Sequence, residues 1–159
     1  MSTYELLLFL HLVFVALLIG GEGVATATGI GMSRTSDTKS IETLARISAK
    51  AEYFALIPGT FGAVVFGTWL VDETGLDFGE AWLSLSYLLW ALATGIGLFV
   101  LGPHGRRIAR RAAELRLNGV TESEEFRAEA AKPAIAVLGN LQLVFILALL
   151  FLMTVKPGA

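Results

Sequence analysis

Four apolar blocks, each about as long as a lipid bilayer is thick, dominate the sequence: roughly residues 4–31, 53–71, 81–102 and 133–155. A helix rises about 1.5 Å per residue, so about 20 apolar residues cross a hydrocarbon core about 30 Å thick. The blocks are continuous rather than alternating, which argues against a membrane β-barrel and predicts four transmembrane helices. The expected fold class is therefore all-α, a polytopic four-helix bundle making one transmembrane domain over residues 1–159. Composition agrees, with 55% hydrophobic residues, 16% charged and a mean hydropathy of +0.68. The first block does not read as a cleaved signal peptide, although Ala25-Thr26-Ala27 resembles a cleavage site. The opening MSTYE carries a glutamate and no basic residue, where a signal peptide wants a basic start. The chain has no cysteine, which excludes disulfides, thiolate metal sites and catalytic thiols.

Charge orients the bundle. Arg34, Lys39, Arg46 and Lys50 lie in segment 32–52, and Arg106, Arg107, Arg110, Arg111, Arg116, Arg127 and Lys132 in segment 103–132. The segment VDETGLDFGE between the second and third blocks has Asp72, Glu73, Asp77 and Glu80 and no base. The positive-inside rule then makes the two basic segments cytoplasmic and puts both termini on the outer side of the cell membrane. Short amphipathic helices are expected in the basic segments. Ile41, Leu44, Ala45 and Ser48 fall near one helix face, and TESEEFRAEAAK opens with a capping box of Thr121 and Glu124. The arginines of RRIARRAAELR read as topogenic charge, with anionic head-group binding as the alternative, and no nucleic-acid motif accompanies them. Gly21, Ala25 and Gly29, then Gly59 and Gly62, then Ala93 and Gly97 mark faces where helix backbones can approach closely. GIGMSR and GPHGRR, closing the first and third blocks, hint at a duplicated hairpin.

His11 and Glu22 share one face of the first helix with Val15, Leu18, Ala25 and Gly29, so that stripe should face the bundle. His11 falls roughly 10 Å below the outer end of that helix and Glu22 roughly 27 Å below it. At that depth Glu22 reaches cytoplasmic water or a loop arginine; a boundary ion pair explains it without special function, and a functional role is the alternative. His11 has no such escape and asks for an interior hydrogen bond, a proton relay, or a metal or haem iron. His104, near the inner end of the third block, suggests a head-group or capping role and lies too deep to share one iron with His11. Met153 is the candidate second ligand on the outer half, against the reading of a gap-filling side chain. Asn140 and Gln142 are costly to bury and join helices or contact a ligand. Pro58 removes a backbone bond in the second helix, where a kink would shape a pocket or ease packing.

Several of these features occur together in known proteins. The stretch LHLVFVALLIGG, a basic loop, LIPGTFGAVVFGTWL, a short loop leading into Trp82, and a closing helix ending VKPG resemble a family of bacterial predicted integral membrane proteins of unknown function. The layout is more distantly similar to the copper-resistance protein D family and to HemJ-type protoporphyrinogen oxidases. The HemJ-type resemblance implies haem b with His11 as an axial ligand, and maps further onto Pro58, Lys156 and Pro157. The pattern departs at WLSLSY, which lacks a lysine, and at Asn140-Leu141-Gln142-Leu143, where that family has Asn-Glu-x-Pro.

The leading expectation is a small four-span membrane protein or accessory subunit with a polar intramembrane site around His11. Its partners would be the bilayer, other membrane subunits or further copies of itself, and no nucleic acid. The first alternative is a haem b oxidoreductase, with Asn140 and Gln142 near the porphyrin edge and Glu22 or Arg106 meeting propionates. The second is ion, proton or metal transport along His11 and Glu22. Whether the protein is an enzyme stays open at this point.

Overall fold

The computed structural model describes residues 2–157, and among them the chain is helical apart from short turns. The first helix, α1 (Thr3–Ser33), starts on a capping box: Ser2 Oγ accepts from the Glu5 N–H at 3.2 Å and the Glu5 carboxylate accepts from the Ser2 N–H at 2.8 Å. Next come α2 (Thr38–Ala51), α3 (Ile57–Thr74), α4 (Ala81–Ile96), α5 (Gly102–Leu117), α6 (Glu124–Ala130) and α7 (Pro133–Val155). Four helices are long and apolar enough to cross a membrane, as the four blocks predict.

The amphipathic helices expected in the basic segments are present, but two of them are not separate from the long helices. A π-helical stretch, Glu52–Leu56, joins α2 to α3, and a second, Gly97–Leu101, joins α4 to α5, giving two continuous rods of 37 residues. Each stretch ends two residues before a proline, Pro58 or Pro103. Proline lacks the N–H that an α-helix needs and crowds the preceding turn, and the backbone answers by widening rather than by breaking. The Ile57 N–H reaches five residues back to the Glu52 carbonyl, and the Gly102 N–H does the same to Gly97. The irregularity expected at Pro58 is therefore a widened turn. The same device thus occurs on the second and third long helices.

From end to end, α1 lies antiparallel to the α2–α3 rod. Gly31 faces Leu44, Gly21 faces Ala55 and Leu56, Gly59 faces Leu18, and Gly62 faces Phe14. A Cβ added at Gly59 would come within 2.7 Å of the Leu18 backbone nitrogen. The small residues set the helix separation, as their spacing predicts. Gly29 is an exception, since a Cβ there would meet nothing within 4 Å.

At the basic end, α2, α5 and α6 close over a core of Ile41, Ala45, Ile108, Ala112, Phe126 and Ala130. Glu42 accepts from Arg116 at 2.8 Å and from Arg46 at 2.9 Å, and Glu129 pairs with Arg107 and Arg111. The Arg116 guanidinium, with Arg46 behind it, holds the Glu42 carboxyl below the usual glutamate range. Hydrogen bonds from Ser40 lower the Asp37 carboxyl in the same way. The capping box expected at Thr121 and Glu124 is not formed. Ser123 Oγ caps α6 by accepting from the Phe126 N–H, while the Thr121 carbonyl accepts from both the N–H and the hydroxyl of Thr38. The other end is held by Val71, Trp82, Leu83 and Leu152. There the Lys156 ammonium sits 5.6 Å from the centre of the Trp82 ring.

Candidate functional site: a cavity between the four long helices

Where α2 meets α5, alanine and isoleucine let the rods pack closely. Further along, aromatic side chains hold α3 and α4 apart: the Thr68 and Tyr87 hydroxyls meet at 2.7 Å, and the Trp90 indole N–H donates to the Thr60 carbonyl at 3.2 Å. The result is a cavity of about 340 Å³, bordered by all four long helices. Its wall is mostly apolar, from Leu18 and Ala25 of α1 through Leu56, Phe61, Trp90, Leu98 and Leu101 to Ile135 and Ile146.

Into this wall the fold inserts a small set of polar groups. Glu22 from α1 is only 5% exposed, and Gln142 from α7 only 7%. Gln142 Nε2 donates to Glu22 Oε2 at 3.5 Å, a long bond between two buried groups. Gln142 Oε1 is buried with no hydrogen-bond partner, and so is His104 Nε2 on α5. Glu52, from the first π-helical stretch, also lines the cavity but is paired with Arg106 at 2.5 Å. Asn140, Thr26, Thr60 and Thr94 add to the polar lining, and Ser33, Ser48 and Lys132 border it as well.

The boundary ion pair expected for Glu22 is not present. Among the described residues no Lys, Arg or His lies within ion-pair distance of it, and Arg46, Arg106, Arg107, Arg111, Arg116 and Arg127 are engaged by Glu42, Glu52, Glu124 and Glu129 instead. The reason is directional: the face that carries Glu22 turns inward to α7, not toward the end of the helix. His104 caps nothing and lies in the cavity wall. The structure therefore gathers Glu22, Gln142, His104 and Asn140 around one space.

His11 is not among them. Its Nδ1 lies 2.8 Å from the Ala63 carbonyl, and because a carbonyl only accepts, Nδ1 carries the proton. The ring is packed on Gly67, where a Cβ would come within 3.0 Å of it, and it borders neither this cavity nor a second one between α1 and α7. His11 therefore does not share a cavity with Asn140 and Gln142, the residues that the haem reading sets near the porphyrin edge. Met153 is exposed on the last turns of α7 and borders neither cavity. Among the described residues no three His, Asp or Glu side chains are grouped as a metal site.

Sequence reasoning missed Glu52 and Trp90. Glu52 stands one residue outside the apolar block, where its charge looks like solvated boundary. Trp90 gives no polar signal, though an indole N–H inside lipid must find an acceptor. That demand, met at Thr60, could have been used to pair α3 with α4.

The sequence model of one protein family, described as predicted integral membrane protein (DUF2269), matches residues 5–157. This bears out the resemblance to the family of unknown function and does not extend to copper-resistance protein D or HemJ-type proteins. No curated protein and no solved structure matches the chain.

Proposed function

The chain belongs to the DUF2269 family of predicted integral membrane proteins, and on that footing we propose that it is a membrane-embedded binding protein. Its ligand is a small amphipathic molecule taken into the cavity between the four long helices. The apolar body lies against Leu56, Trp90, Leu98 and Ile146, and the polar head reaches Glu22 and Gln142. We place the basic end on the cytoplasmic side by its arginines, so that both termini face outward.

One observation carries this reading: Gln142 Oε1 is buried and unpartnered on the wall of a cavity with room for a partner. An unmet buried acceptor costs about 1–3 kcal/mol, and a buried carboxylate beside it costs more. A head group that bonds to both relieves both costs. His11 serves as a positioning residue, tying α1 to α3 at Ala63 so that Glu22 keeps its register against α7.

Native mass spectrometry of the protein in lipid nanodiscs tests the reading. The wild type should retain a small molecule that Gly139→Phe excludes. Gly139 borders the cavity and has nothing within 4 Å of its Cβ position, so a phenyl group there fills the space without displacing a helix at its root. Identical spectra for wild type and variant would contradict it.

A further inference from the structure

Resting on the binding reading above, we propose that the head group is a cation: the cavity takes a lipophilic primary ammonium, held by the Glu22 carboxylate, Gln142 Oε1 and the aromatic wall at Trp90. The two acidic residues on the cavity wall differ in one respect. Glu52 has its own cation in Arg106, whereas Glu22 has none among the described residues. Lys132 and His104 also border the cavity, but neither pairs with Glu22, and each sits further along its chain. Lys132 precedes Gln142 by ten residues on α7, about 15 Å, and His104 follows Gly97, the neighbour of Gln142, by seven, about 10 Å.

Hydrogen-bond polarity points the same way. The Gln142 amide spends an N–H on Glu22, which leaves its carbonyl oxygen and the carboxylate as acceptors. A head group that only accepts would leave both of these acceptors unmet, with just the second Gln142 N–H to bond to; an ammonium offers three donors and the missing charge. Trp90 is fixed by its bond to Thr60, and Phe61 meets its ring edge-on at 6.2 Å. Both line the cavity, so a cation beside Glu22 also has indole and phenyl π systems within the same apolar wall. The rest of that wall suits an alkyl or aryl body and not a hydrated metal ion.

The test compares 4-phenylbutylamine with 4-phenylbutanol, which has the same body and no charge at neutral pH, by calorimetric titration into nanodisc-held protein. We expect the amine to bind at least tenfold more tightly, and Glu22→Gln, a nearly isosteric change, to remove that advantage. Gln142→Leu, which removes the unpartnered Oε1, should also weaken the amine. Equal binding of amine and alcohol to the wild type, or an advantage that survives Glu22→Gln, would overturn the cationic head while leaving the binding reading intact. Binding of both probes that persists in Gly139→Phe, or no binding of either, would overturn the binding reading itself.

Discussion

The basic-end cap and the bilayer segment of this protein are built from the same helices by different rules. In the cap, Ile41, Ala45 and Ala112 are fully buried and charged side chains encircle them, as in a water-soluble domain. In the bilayer segment the apolar side chains face outward: Leu147 is 56% exposed and Phe99 81%. Lipid is as apolar as leucine, so burying leucine there gains little, and the helices are held by glycine contacts and a few hydrogen bonds. The cap can therefore fix the helices at one end while the segment beyond it stays open enough to enclose a cavity. A polar group in the cap is met by an arginine, whereas Glu22 and Gln142 in the bilayer segment are met chiefly by each other.

Three substitutions, two of them set beside a control, probe that contrast. The largest effect belongs to Ile108→Ala, which empties a site 1% exposed in the cap core and should cost about 2–5 kcal/mol, seen as a lower Tm and easier proteolysis near α6. Leu147→Ala, the same kind of truncation on the lipid face, should cost less than about 0.5 kcal/mol; comparable losses would show that both regions obey one rule. Next, Gly59→Leu drives a side chain into the Leu18 backbone and should destabilise the α1–α3 contact by about 1–3 kcal/mol. Gly20→Leu, with nothing within 4 Å, should leave the Tm unchanged. Controls aside, the smallest effect is Glu42→Gln, about 1 kcal/mol near neutral pH.

That last variant also has a pH signature. Arg116 and Arg46 lower the Glu42 carboxyl in the folded state, so its contribution is complete above the ordinary glutamate value of about 4.5 and is lost as pH falls through the folded value. Wild type and Glu42→Gln should therefore converge in Tm under acid, and a gap that stays constant would remove Glu42 from the account.

The sequence makes the four long helices plain because a bilayer imposes a length on each of them. It also marks Gly21, Gly59 and Gly62 as close contacts, since small side chains at helical spacing serve little else. The π-helical stretches are hidden, because proline announces only that a bond is lost and not how the backbone absorbs the loss. The candidate site was half legible. Glu22 and Gln142 are conspicuous as polar residues in apolar blocks, but their meeting depends on the rotation of α1 against α7, which no local pattern records. His11 drew attention for the same reason as Glu22, yet a single carbonyl at Ala63 satisfies it.

Because the chain has no cysteine, one introduced thiol reports on one place. Thr94→Cys puts that thiol on the cavity wall, and its reaction with a small methanethiosulfonate reagent in nanodiscs tests the central claim most directly. The account predicts modification that 4-phenylbutylamine slows in proportion to its occupancy. A thiol at residue 94 that reacts equally fast with and without the amine would contradict a ligand site between the four helices.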